Sequence, residues 1–409
     1  MKKPTPALPL LLLPLALLPI GVWGFSVGNK ILIMLVLLIS VAWDGRAIII
    51  APLRRYFLAG LLVLSILYLV ALFQGVSQWW AVFVDSQFWL YLLFACLAIR
   101  RTAATIKSEQ FLSALLRVQK IALFVGVIAT GLHTLSGNTI WMNELGRLRY
   151  TGTLGPSGTA IHAITMLLPF LAVGVLLKKG SYLWLASACI AIIALTGTRI
   201  VLLAMVAACL PIIASIPERR TRWLILVFVG ALGLFALSLA VGRSFFEGVY
   251  EVGSFNDNGR FYIWGVFLDV AMQSPWLGLG AGSANEFLVD QDTSVAFSQI
   301  HNDYLRIFFI SGAIGLAIFA WIGLSMYRAS RMLERGSSSA DRCLSVIARA
   351  YIVAFFIMMA TDNVFIYHFY IYPLIIVFIY SVSRKPNNTR LSDRITASNL
   401  NSLLHRRAG

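Results

Sequence analysis

TGTRIVLLAMVAACLPIIASIPERRTR, residues 196–222, decides what kind of chain this is. Between Arg199 and Glu218 there is no charged residue, and the run is long enough for a helix to cross the roughly 30 Å core of a bilayer. A basic cluster, PERRTR, closes it. The pattern recurs along all 409 residues, with 59% hydrophobic residues, 12% charged residues and a mean hydropathy of +0.83. That composition excludes an ordinary soluble domain. In hydrocarbon a segment must satisfy its own backbone polar groups, so the runs read as helices and the fold class as all-α, polytopic and membrane-integral.

Working outward gives about twelve spans, near 8–23, 28–43, 56–74, 80–99, 118–135, 159–177, 181–195, 199–216, 223–241, 304–327, 343–361 and 364–383. Several are short, so tilted or partly re-entrant pieces fit the pattern, with kinks at Pro14, Pro169 and Pro211. The opening MKKPTPALPLLLLPLALLPIGVWG has the layout of a signal peptide. It lacks a small-x-small cleavage site and runs straight into another apolar stretch, so it reads as a retained first span.

Charge sets the orientation. With the N-terminus inside, 26 of the 33 Lys and Arg residues fall on the inner side and 7 on the outer; the acids divide 6 inside and 11 outside. The positive-inside rule is met at nearly every loop, both ends are cytoplasmic, and the pI near 10.0 reflects topology, with no nucleic-acid partner implied. Cys96, Cys189, Cys209 and Cys343 lack metal-ligand spacing and read as helix filler. Residues 1–409 form one membrane domain, and 384–409 a polar, basic, flexible tail.

The outer face holds the polar chemistry. Its dominant feature is a loop over about 242–303; a shorter one covers about 136–157. A loop of sixty-odd residues is expected to be ordered and functional. NDNGRFYIWGVFLDVAMQSPW reads as a helix capped by Asn258 and stopped near Pro275. GLGAGSANEF adds a glycine turn and a short helix; its glycine spacing does not fit a dinucleotide fingerprint. These pieces make a small helical cap. No external carboxylates accompany a histidine pair, so no metal site and no cofactor are expected.

Six of the seven outer cations are arginine. Arginine stays charged and grips phosphate oxygens through a planar fork. Lys30, Arg147 and Arg243 read first as loop anchors paired with outer carboxylates. Arg199 is different, because it sits in a turn of a few residues at the membrane, where an ionisable group is costly and marks function. Arg260 opens a helix, so an anion there meets both a guanidinium and a helix N-terminus. In RLRYTGTLGPSG, residues 147–158, Arg147 and Arg149 lie just outside the sixth span, and Arg149 is the nearer to it.

HNDYLRIFFISGAIGL, residues 301–316, places His301, Asn302, Asp303 and Arg306 at the start of the tenth span. Of the five histidines, His301 alone has such company. Imidazole titrates near neutrality and can take a proton from a hydroxyl. Gly312 and Gly315 would let this span approach a neighbour and fix the histidine.

These residues resemble a known family. His301–Asn302, nine residues, Gly312, two residues and Gly315 fit the H-[NSQ]-x9-G-x-x-G pattern of bacterial O-antigen ligases. Arg199 with Leu203 resembles their R-x3-L element, and GRFYIWGVFLDVAMQSPWLGLGAGSANEF resembles the loop of the wider ligase and polymerase superfamily. The resemblance implies metal-independent glycosyl transfer in the bacterial inner membrane, with a periplasmic active site. The donor would be O-antigen on undecaprenyl pyrophosphate and the acceptor a lipid A–core hydroxyl, amid membrane lipids. Arginines would clamp the leaving pyrophosphate, and His301 would deprotonate the acceptor, with inversion at the anomeric carbon. Asp303 or Asp362, the latter in ATDNVF, would orient the imidazole or bind sugar, though residues as close as 301 and 303 do not share a helix face. Asn302 also joins the substrate-binding set. Tyr262, Trp264 and Trp276 would stack on sugars or sit in an interfacial aromatic belt. Two alternatives stay open: an O-antigen polymerase, which more often carries two sizeable outer loops, and a lipid or solute transporter.

Overall fold

In a computed structural model of the chain, the described residues are 12, 14, 26–44, 49, 51–144, 147–220, 222–223, 260–290, 300–332 and 338–383. Nearly all of the expected first span, the ninth span, the loop segments 242–259 and 291–299, Asn258 and the tail 384–409 lie outside them. The helices are α1 (Ser26–Asp44), α2 (Ala51–Phe73), α3 (Trp79–Thr105), α4 (Ser108–Leu135), α5 (Gly155–Leu176), α6 (Gly180–Thr196) and α7 (Arg199–Ala214). They continue as α8 (Arg260–Ala271), α9 (Ser283–Asp290), α10 (Asp303–Met332), α11 (Ser339–Met358) and α12 (His368–Ser383).

The ten expected spans that fall on described residues coincide with α1 to α7, α10, α11 and α12. By length and composition α2, α3, α4, α5 and α10 can cross a membrane, while α6, α7, α12 and much of α1 and α8 are shorter apolar helices. Pro169 and Pro211 lie inside α5 and α7, as does Pro373 inside α12.

Burial sorts the helices into a core and a shell. α12 is buried all round, which is how a helix hydrophobic on every face behaves. It packs on α3 and α11, and Phe88, Phe319, Phe355, Phe365 and Tyr370 interlock between them with centroids 5.3–6.4 Å apart. The outward faces of α2 and α4 instead expose Leu58, Leu62, Leu72, Phe124, Val127 and Leu132. An apolar shell of this extent is a liability in water and is what a lipid-facing surface requires. The four cysteines are free and buried.

One element departs from the all-α reading. Trp141–Glu144 and Arg147–Tyr150 form an antiparallel hairpin, β1 and β2, with Trp141 opposite Tyr150 and Met142 opposite Arg149. The ring pair, 5.6 Å apart, is a cross-strand contact of the kind that stabilises short ribbons.

Candidate functional site

The polar groups gather where α2, α4, α6 and α11 end and α3, α5, α7, α10 and α12 begin. The loop built from α8, the glycine turn and α9 fastens onto this end. Its turn, 274–282, lies backbone to backbone against a break in α10. Gly312 has φ 62° and ψ −167°, outside the helical region. The freed groups find partners in the turn: Leu279 N–H donates to Phe309 O (2.9 Å), Gly280 N–H to Ile310 O (3.0 Å), and Ala313 N–H to Pro275 O (2.8 Å). The expectation that Gly312 and Gly315 admit a neighbouring helix is therefore replaced. Gly312 admits a loop, since a Cβ there would meet the Trp276 backbone, and at Gly315 it would meet the Ser311 side chain.

Gly278, Gly280 and Gly282 all have positive φ, as the expected glycine turn demands. Gly280 lies against the Ala71 backbone, and Ala281 N–H donates to Leu67 O at 3.3 Å. Glu286 of α9 closes the attachment by accepting from the Ser77 and Gln78 N–H groups and from Ser77 Oγ (2.9 Å) at the start of α3. Slight burial raises this carboxyl's pKa, but these hydrogen bonds outweigh it and hold the group below its ordinary value.

His301 sits directly before α10. Its backbone is left-handed, φ 52°, a conformation that costs a β-carbon-bearing residue free energy and clusters at functional sites. Asn302 caps α10 by accepting from Leu305 N–H at 3.1 Å. Asp303 is fully buried: its own N–H donates to Met359 O (2.9 Å) and its Oδ2 accepts from Phe365 N–H (2.6 Å). This binds the start of α10 to the 359–365 turn. That turn brings Asn363 Nδ2 to 3.4 Å from His301 Nδ1, while Asp362 Oδ1 accepts the Asn363 N–H at 2.8 Å. Asn363 thus lies against the imidazole, while Asp303 and Asp362 hold the turn that carries it.

The four expected arginines, Arg147, Arg149, Arg199 and Arg260, lie at two further places. Arg149 of β2 donates through Nε to Thr196 O (2.9 Å) and through Nη2 to Thr198 Oγ1 (3.2 Å), straddling the α6–α7 turn made tight by left-handed Gly197. Arg199 is the next residue and is exposed, so Arg149 and Arg199 share one turn. Arg147 lies two residues along the same strand. Arg260 opens α8, and one turn on, Trp264 Nε1–H donates to Ile300 O at 2.8 Å, tying that helix to the residue before His301. The Trp264 polar edge is therefore committed to backbone, whereas the Tyr262 and Trp276 rings stand exposed.

Two residues escaped the sequence reading. Asp85, in α3, is fully buried and paired with Arg306, and Asn363 touches the histidine. The signal for Asp85 was present, as it is the one acid in WWAVFVDSQFWLYLLFACLAI and a carboxylate inside an apolar span is costly enough to imply a role. Asn363 carried none beyond its place beside Asp362. Lys30, read as a loop anchor, is buried under Trp80 (5.6 Å to the ring centroid) within electrostatic reach of Arg306 and Asp85. Among the described residues no group of three or more His, Cys, Asp or Glu side chains could hold a metal.

The fold and its polar end define a class: a multi-pass helical membrane protein with a structured loop tied to the residue before His301. Residues 182–320 match the family model of O-antigen ligase, which puts this segment in the O-antigen ligase/polymerase superfamily. Arg199, Arg260 and His301 lie inside the match; Asp85, Arg149 and Asn363 lie outside it. No curated protein matches the chain.

Proposed function

We propose that this chain is an O-antigen ligase. It moves a polysaccharide from undecaprenyl pyrophosphate to a lipid A–core hydroxyl on the periplasmic face of the bacterial inner membrane, with both termini cytoplasmic and no metal or cofactor. The observation that carries this reading is His301, held in a left-handed backbone against Asn363 inside the family-matched segment.

In the proposed step, His301 Nε2 takes the acceptor's hydroxyl proton as the oxygen attacks the anomeric carbon. The new C–O bond forms as the bond to pyrophosphate breaks, and the leaving group departs with the electron pair, so configuration inverts. For Nε2 to accept, the ring hydrogen must sit on Nδ1, and the Asn363 amide must flip so that its carbonyl oxygen, in place of Nδ2, faces that hydrogen. Arg260 and Arg199 stabilise charge building on the pyrophosphate, helped by Arg149 and Arg147. Asn302 and Asp303 fix the histidine, Asp362 binds sugar through the same turn, and Tyr262 and Trp264 line the sugar path. An apolar lateral surface suits a donor that is itself a lipid, and no nucleotide is called for.

The test uses purified protein in liposomes with labelled lipid-linked glycan. Label on lipid A–core, lost by about 10² to 10⁴ in rate for His301→Ala, is expected. Lengthened lipid-linked glycan made without lipid A–core would overturn the ligase reading in favour of a polymerase, and label that never leaves the donor would reinstate transport.

A further inference from the structure

Asp85 has no part in the reaction as proposed, yet it uses both oxygens at a junction of three elements. Its side chain is fully buried in α3, and Arg306 is 4% exposed. Asp85 Oδ1 accepts from Arg306 Nε at 2.7 Å and lies 2.6 Å from Nη2, so one oxygen takes both guanidinium nitrogens. Oδ2 accepts the Gly282 backbone N–H at 2.7 Å. Arg306 is in the first turns of α10, just after His301; Gly282 ends the glycine turn that follows α8, the helix opened by Arg260. A single carboxylate therefore reaches the histidine's helix with one oxygen and the loop with the other.

We propose that Asp85 is a positioning residue that holds the loop in register with His301, so that the Arg260 end of α8 and the imidazole face one substrate. This rests on the transfer reaction proposed above. Three features support it. The glycine at the contact leaves no room for a side chain to do this job, since a Cβ on Gly282 would strike Val76 and Val82. A buried carboxylate accepting an ion-pair partner and an amide together has little freedom to move. The other fastenings of the loop, to Phe309 and Ile310 and to Ser77 and Gln78, flank this point, so Asp85 sits in the middle of the seam. A displacement near 1 Å at reacting groups lowers turnover by about 10²-fold, which is the scale expected here.

The experiment compares Asp85→Asn, Asp85→Glu and the swapped pair Asp85→Arg/Arg306→Asp. It measures kcat and donor KM for glycan transfer, and hydrogen exchange of the 276–288 amides in the full protein. In Asp85→Asn one oxygen remains, and the amide NH₂ faces either the guanidinium or the Gly282 N–H. Expected are a kcat lower by about 10²-fold, a donor KM within a few-fold of wild type, and faster exchange at 278–286. The swapped pair keeps an ion pair but offers Gly282 no acceptor, so it restores folding without restoring kcat or protection. Recovery of kcat in the swapped pair would reduce Asp85 to a structural ion pair and overturn the proposal, as would wild-type kcat in Asp85→Asn or lost kcat with protection intact. Should Asp85→Asn fail to fold, Asp85→Glu, which retains both acceptors on a longer arm, must show the same kcat loss against unchanged KM. If wild-type protein transfers no glycan at all, the ligase reading falls, and exchange alone judges the clamp: unchanged protection in Asp85→Asn overturns it.

Discussion

Gly312→Ala should undock the loop from α10. The alanine would have to keep φ 62° and ψ −167°, a region almost reserved for glycine that costs other residues about 1–3 kcal/mol. Its Cβ would also point at the Trp276 carbonyl and the Leu277 nitrogen, which are backbone and cannot rotate away. Separating them breaks the bonds from Ala313 to Pro275 O and from Ile314 to Trp276 O, each worth about 1 kcal/mol net. The docked state should lose about 3–5 kcal/mol in all, a shift of roughly 10² to 10⁴ in its equilibrium. Hydrogen exchange and limited proteolysis across 272–290 read this directly, and glycan transfer should fall in parallel. Gly315→Ala disturbs the same break from the other side, because its Cβ meets Ser311, and there Ser311→Gly should relieve it. The same second change should do nothing for Gly312→Ala. Wild-type protection in Gly312→Ala would refute the reasoning, because α10 could then run through this point without the loop.

His301→Gly removes the strain of a left-handed side chain and should unfold within about 1 kcal/mol of wild type while losing transfer, measured by thermal unfolding alongside turnover. Asn363→Asp keeps an acceptor for Nδ1–H and adds charge that favours the imidazolium. The acidic limb of kcat/KM should therefore move to higher pH, whereas Asn363→Leu should lower kcat without moving that limb. Glu286 has its pKa below the ordinary 4.5, so the stability it supplies is present above that value and fades as pH falls through the folded value. Glu286→Gln should abolish that acid sensitivity of loop protection. Trp264→Phe keeps an aromatic ring, though a smaller one, and deletes the N–H bond to Ile300; it should cost at least about 1 kcal/mol and reduce kcat more than donor KM.

The helices and their order could be read from the chain itself, because hydrocarbon forces each apolar run to satisfy its own backbone, and local composition reports on that. The histidine–glycine spacing, the arginine bias and the glycine turn were legible for the same reason: each is a local pattern. The hairpin at 141–150 was not, since two four-residue strands between spans leave only a faint alternation. What remained hidden is what depends on contacts far apart in sequence. Asp85 meets Arg306 across 221 positions, Gln87 meets the Phe365 carbonyl across 278, and Asn363 reaches His301 from the far side of α10 and α11. Gly312 in the sequence is merely a small residue in a helix; only the packed loop shows that it is where the helix opens. Spans follow from the solvent each segment must face, but which polar groups meet inside the bundle is settled by how the segments stack, and that is a property of the whole chain.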